Sequence, residues 1–151
     1  MKKRYWGFCF VLLFSCSTEK SQINYGQEGC SYCQMMIMDQ RFGAEIVTGK
    51  GKIYKFDAME CLLNFKMENP DIATVIATEW TNVHNEDSML YAAHECTYLR
   101  SPNLPSPMGM YINTYKDLKT AEAYQKEHGG ELFTWTELNN RFNDLASIKN
   151  E

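Results

Sequence analysis

The pattern that most limits the fold is a strand, strand, helix, strand order that occurs twice along the chain. Ala44 to Thr48 and Ile53 to Phe56 are short β-like runs separated by Gly49-Lys50-Gly51-Lys52. Apolar, β-branched runs around a glycine-rich spacer signal a hairpin. Asp57 follows as an expected N-cap, with Glu60 three residues on in the manner of a capping box. A helix is expected to about Glu68, because Met59, Leu63 and Met67 recur at helical spacing beside Leu62 and Phe65. Asn69-Pro70 is expected to stop it, and Ile72 to Trp80 reads as a strand. The second half repeats the order. Leu90 to Leu99 is strand-like, Ser101 to Gly109 is a proline-rich loop, and Met110 to Asn113 is a further strand. Thr114 with Asp117 opens a helix carrying Leu118, Ala121 and Tyr124 on one face, and Gly129-Gly130 ends it. Glu131 to Trp135 is strand-like. A last helix begins near Thr136, with Thr134 and Glu137 as a capping box and Leu138, Phe142 and Leu145 as its apolar stripe.

The expected fold class is therefore α+β: two ββαβ units packed together, with a C-terminal helix. The units fall at residues 29–80 and 81–151. Pieces of about fifty residues are marginal alone, so the two are expected to share a sheet or pack closely. With 151 residues, 44% of them hydrophobic and 23% charged, the chain can bury a core. The formal charge is −4, and no basic cluster remains beyond the first four residues. A nucleic-acid binder needs a positive face, so that class is set aside. No glycine loop of the phosphate-cradling type is present. The unusual numbers are six Cys and nine Met.

The N-terminus accounts for two of the cysteines. Lys2, Lys3 and Arg4 precede an apolar stretch from Trp6 to Phe14. That is much shorter than the ~20 residues that span a bilayer and suits a signal peptide. It ends in Leu13-Phe14-Ser15-Cys16, which resembles a bacterial lipobox: an aliphatic residue, a small residue, then the cysteine that is lipidated. Residues 1–15 are expected to be removed, taking Cys9 with them, and Cys16 to carry lipid. An ordinary signal peptide with a chance cysteine is the plainer alternative. Residues 16–28 are polar and read as a lipidated flexible tether. The location implied is the cell envelope, on a membrane facing the periplasm, with the outer membrane favoured.

Four cysteines remain for chemistry: Cys30, Cys33, Cys61 and Cys96. The run Cys30-Ser31-Tyr32-Cys33-Gln34-Met35-Met36-Ile37-Met38 holds two thiols and three thioethers in nine residues. Three readings compete. A zinc site wants four N or S ligands, and His94 with Cys96, at i and i+2 of a strand, could join one CxxC. A redox motif of thioredoxin type should sit between a strand and the helix it opens, whereas this CxxC follows a polar tether. Cu(I) is soft and takes thiolate and thioether together, which matches the composition best. Bland roles stand beside these. Met36 and Met38 are expected as core gap-fillers, and Met59 and Met67 as core. Cys61 is expected as a buried small hydrophobe. His84 and His128 look like surface residues. Met108 differs, because Ser106-Pro107-Met108-Gly109 holds it on a stiff loop where an apolar side chain has less reason to be core.

These pieces together resemble the NosL family, lipoprotein copper chaperones associated with nitrous oxide reductase assembly. The resemblance runs from about Gly29 to Trp135. It rests on the lipobox, Cys30-x-x-Cys33-x-Met35-x-Ile37, Phe56-Asp57 with Cys61, and the Ser106 to Gly109 turn. It implies two ββαβ units and one Cu(I) held by soft ligands for delivery to a copper-accepting reductase or its assembly machinery. The copper candidates it implies are Cys33 and Met35, with Cys30 and Met108 next. His94 and Cys96 are not hallmarks of the family. Gln34 departs from it, standing where the family commonly has Gly. The implied protein is a carrier rather than an enzyme. The alternative is a thiol-disulfide oxidoreductase using Cys30 and Cys33.

Overall fold

The computed structural model describes residues 18–86 and 88–148. Strands β1 (Ala44–Thr48) and β2 (Ile53–Phe56) form the expected hairpin, then come α1 (Met59–Glu68), the short α2 (Pro70–Ala73) and β3 (Ile76–Thr81). After β4 (Tyr91–Ala92) and one 3₁₀ turn (Ala93–Glu95), the order repeats as β5 (Thr97–Arg100), β6 (Ile112–Tyr115), α3 (Leu118–His128) and β7 (Glu131–Thr134). Helix α4 (Trp135–Ile148) ends the described chain. Two antiparallel sheets result, in the orders β2-β1-β3-β4 and β6-β5-β7. The fold class is the mixed α+β arrangement that the sequence pattern predicts, C-terminal helix included. Among the described residues no helix is long and apolar enough to cross a membrane.

Local chemistry explains most boundaries. Gly51 takes a φ of 78° in the β1–β2 turn, where only glycine is unstrained. Thr134 and Glu137 form the predicted capping box: the Glu137 N–H donates to Thr134 Oγ1 at 3.3 Å, and the Glu137 carboxylate accepts from the Thr134 N–H at 2.8 Å. The same device does not form at α1. Its N-cap is Ala58, and no side chain caps it. Asp57 instead accepts the Met38 N–H at 3.4 Å, and Glu60 turns inward to the Ser106 hydroxyl. Tertiary partners outbid the local ones. Asn69-Pro70 ends α1 as expected, but Pro70 also opens α2, where its missing N–H costs nothing. Helix α3 is capped by Asp117, which accepts the Thr120 N–H at 2.8 Å, while Thr114 stays in β6. The run Leu90 to Leu99 is broken by the 3₁₀ turn, so His94 and Cys96 do not share a strand face.

Both sheets turn apolar side chains into one core. Ile46, Phe56 and Leu62 from the first half pack with Tyr98, Ile112 and Phe133 from the second, and α4 adds Leu138, Phe142 and Leu145. A polar clasp accompanies it. Lys66 of α1 pairs with Glu79 of β3 at 2.5 Å and donates to Asn139 of α4 at 2.7 Å, and Trp135 Nε1 donates to Glu79 at 3.0 Å. Several expected core positions lie outside. Met36, Met38 and Met67 are exposed, the last in the final turn of α1. His84 is not a surface residue. It is half-buried among the rings of Phe42, Tyr115 and Tyr124, and burial lowers its pKa.

The polar segment before the CxxC is not a free tether over its described length. Ser21 donates to the buried Glu45 through N–H at 2.8 Å and hydroxyl at 2.6 Å. Ile23 is buried, and the Tyr25 hydroxyl donates to Asn82. Residues 18–28 thus form a strap across the first sheet. Gly43 lies under it: a Cβ there would stand 2.6 Å from Asn82 Oδ1 and 2.7 Å from the Tyr25 hydroxyl.

Candidate metal centre

The CxxC sits on a tight two-armed loop. Ile37 N–H donates to Glu28 O at 2.9 Å, and Cys30 N–H to Met35 O at 2.8 Å, closing the arms around residues 31–34. Gln34 N–H donates to Cys30 O at 3.1 Å, and Gln34 has a φ of 63°. The turn therefore needs a left-handed residue at Gln34. Ser31 fixes the loop to the end of β2, with its N–H on Lys55 O at 2.7 Å and its Oγ accepting the Lys55 N–H at 3.2 Å. That docking brings the loop against the start of α1, where Cys61 faces inward from the first turn.

The outcome is a cluster of three thiols. The Sγ atoms of Cys30, Cys33 and Cys61 all lie within 4.8 Å of one another. Two sulfurs bound to one ion at about 2.3 Å each are separated by at most about 4.6 Å. Small rotamer changes would therefore let all three reach one ion. Among the described residues, this is the group whose Cys, His and acidic side chains are spaced to hold a metal. Cys30 and Cys61 are buried, Cys33 is half-buried at the mouth, and all three are free thiols.

The cluster shares its protons unequally. Cys30 is held well below the usual thiol range, chiefly by the Cys61 thiol donating to it and further by backbone N–H groups of Asp57, Cys33 and Tyr32. Cys61 is pushed far upward by that same bond and by burial. Burial also raises Cys33. Negative charge in the cluster is therefore favoured on Cys30, where the neighbouring thiol and backbone N–H groups converge.

The other sequence candidates are placed as follows. Met35 lies on the returning arm of the loop and is 49% exposed, beside the exposed Met36 and Met38. Met108 is half-buried and packs against the core. Its turn is closed by Gly109 N–H on Ser106 O at 3.0 Å and pinned by the Ser106 hydroxyl to Glu60. Glu60 precedes Cys61, so the loop of the second half is tied to the helix that carries the third thiol. His94 is exposed, while Cys96 is buried with its thiol 3.5 Å from Ala92 O. Neither joins the cluster, and the four-ligand zinc arrangement built on them is not formed. Cys16 lies outside the described residues. Sequence reasoning missed Cys61 as a cluster member. A cysteine on an apolar helix face looks like core, and only the strand-to-helix corner after Phe56 turns it toward the CxxC.

No curated protein sequence matches the chain. The fold is similar to the crystal structure of the copper chaperone NosL from Shewanella denitrificans, with a TM-score of 0.69 and 20% identity. The match covers 78% of this chain and 94% of that one, and at this identity the likeness shows the fold. Residues 21–142 match the family model described as NosL, and the chain belongs to the NosL family.

Proposed function

We propose that this chain is an envelope lipoprotein, anchored through Cys16, that binds one Cu(I) ion and hands it to the maturation of nitrous oxide reductase. The observation that carries the reading is the three-thiol cluster of Cys30, Cys33 and Cys61. Cu(I) is stable with two or three soft donors, and a carrier must also release it. Cys33 at the mouth and the buried Cys30 are the primary thiolates, and Cys61 is the third. Met35 supplies a thioether from the loop, and Met108 one from the second half of the chain. The related crystal structure is of a copper chaperone, which agrees with this reading.

The arrangement of thiols favours a carrier over the oxidoreductase. Disulfide exchange needs an accessible thiolate. Here the thiol whose pKa is lowered, Cys30, is 1% exposed, while burial raises that of the more accessible Cys33. Anaerobic competition against a Cu(I) chelator tests the site. Cys33→Ser should abolish tight binding. Met108→Leu should weaken it while keeping volume and apolarity. Prior oxidation of the thiols should prevent uptake. Unchanged affinity in Cys33→Ser, or equal uptake with and without reductant, would remove the thiols from the site.

A further inference from the structure

We propose that the strap formed by residues 18–28 fixes which end of the protein meets the membrane: the β1–β2 turn lies on the bilayer, and the thiol cluster points away from it. The inference rests on the reading that Cys16 is lipidated.

The strap crosses the sheet in a defined direction, with Ser21 on Glu45 of β1 and Gln22 O on Lys55 of β2. Thr18 O accepts from the Thr78 hydroxyl at 3.1 Å, the Lys20 ammonium lies 5.0 Å over the Trp80 ring and donates to Leu90 O, and Tyr25 reaches Asn82. Going backward from Lys20 to Thr18 therefore leads toward Ile76 and Val75. Only Ser17 separates Thr18 from Cys16, and two Cα steps at full extension reach only ~7 Å. Lipid on Cys16 would be held within that distance of Thr18, which itself lies level with Thr78, Val47 and Ile53, toward the β1–β2 turn.

The surface at that end suits an anionic bilayer. Gly49 N–H donates to Val75 O at 2.9 Å, so the β1–β2 turn and the α2–β3 turn form one tip. The tip exposes Lys50 and Lys52 together with Ile53 at 37% and Val75 at 52%. No acid stands between Gly49 and Tyr54, or between Ala73 and Ala77. Basic and apolar side chains beside a lipid anchor lie favourably against an anionic surface. The thiol cluster lies at the other end of β2, where Ser31 bonds Lys55. Four residues of strand, about 13 Å, separate Ile53 from Asp57. Cys33 and the exposed Met35, Met36 and Met38 would then face the aqueous side, open to a soluble protein that accepts or donates copper.

The test uses the full chain, processed in a bacterial host and placed on vesicles of phosphatidylcholine and phosphatidylglycerol. Its mass reports acylation of Cys16. Lysine acetylation and hydroxyl-radical labelling, read by peptide mass spectrometry, are compared with Cys16→Ala protein beside the same vesicles. Several-fold protection of Lys50, Lys52, Ile53 and Val75 is expected, with Met35 to Met38 labelled equally in both. A long Gly-Ser insertion between Ser17 and Thr18 should keep acylation and membrane partition but lose the protection. Acylated protein with uniform labelling, or with protection at Met35 to Met38, overturns the orientation alone. A mass without acyl groups overturns the lipoprotein reading and this inference with it.

Discussion

At the scale of single residues, the cluster's chemistry is set by who holds the proton. The Cys61 thiol beside it lowers the pKa of Cys30, while burial and hydrogen bonding raise those of Cys33 and Cys61. A thiol that ligates metal must lose its proton, so affinity rises with pH. Binding by Cys30 and Cys33 should release one proton, and adding Cys61 two. Chelator competition between pH 6 and pH 8 should show apparent affinity rising about tenfold per unit for each proton released. A flat profile would exclude any thiol beyond Cys30. Gln34 offers a second check. Its φ of 63° is strained for a residue with a Cβ. Its side chain gains only a 3.3 Å bond to Ser31 O. Gln34→Gly should raise unfolding stability by about 1 kcal/mol in urea titrations and leave Cu(I) affinity unchanged. A loss of stability would mean the side chain matters more than the backbone.

Among the elements, the strap is the one that sequence reasoning rated as free chain. It packs so closely over Gly43 that a methyl group there would collide with Asn82, Tyr25 and Ile23. Gly43→Ala should therefore cost about 1–3 kcal/mol of stability. The cost should concentrate in the strap, so limited proteolysis should cut near residues 20–28 faster in the variant. Wild-type cleavage rates would show that the strap was never docked. Its dependence on Glu45 explains how such a polar stretch holds on: the buried carboxylate is raised by desolvation, and two bonds from Ser21 partly offset that cost.

For the whole molecule, one core spans both sheets, and α4 closes it with Leu138, Phe142 and Leu145. The Lys66, Glu79 and Trp135 clasp joins α1, β3 and α4. The protein should unfold in a single transition, coincident by tryptophan fluorescence and far-ultraviolet circular dichroism. Residues 29–80 expressed alone should not fold. Two separated transitions would show that the halves are independent, despite the shared side chains. Shared folding also ties the Met108 loop to α1, because the Ser106 hydroxyl donates to Glu60 beside Cys61.

Much of this architecture was legible in the residue pattern, and the reason is local. The hairpin at Gly49 to Lys52, the proline at Asn69-Pro70, the Gly129-Gly130 stop and the Thr134–Glu137 box act over a few residues, so spacing alone reports them. The CxxC marked the loop that carries two members of the thiol cluster for the same reason. What tertiary structure decided is long-range. Asp57 and Glu60 could have capped α1 but bind Met38 and Ser106 instead, because partners far along the chain compete for the same oxygens. Cys61 joins Cys30 and Cys33 only through the docking of Ser31 on Lys55. The strap is ordered by Glu45 and Asn82, which no local pattern connects to it. Backbone geometry propagates from neighbour to neighbour, whereas the meeting of three sulfurs depends on how a loop, a strand end and a helix start are packed together.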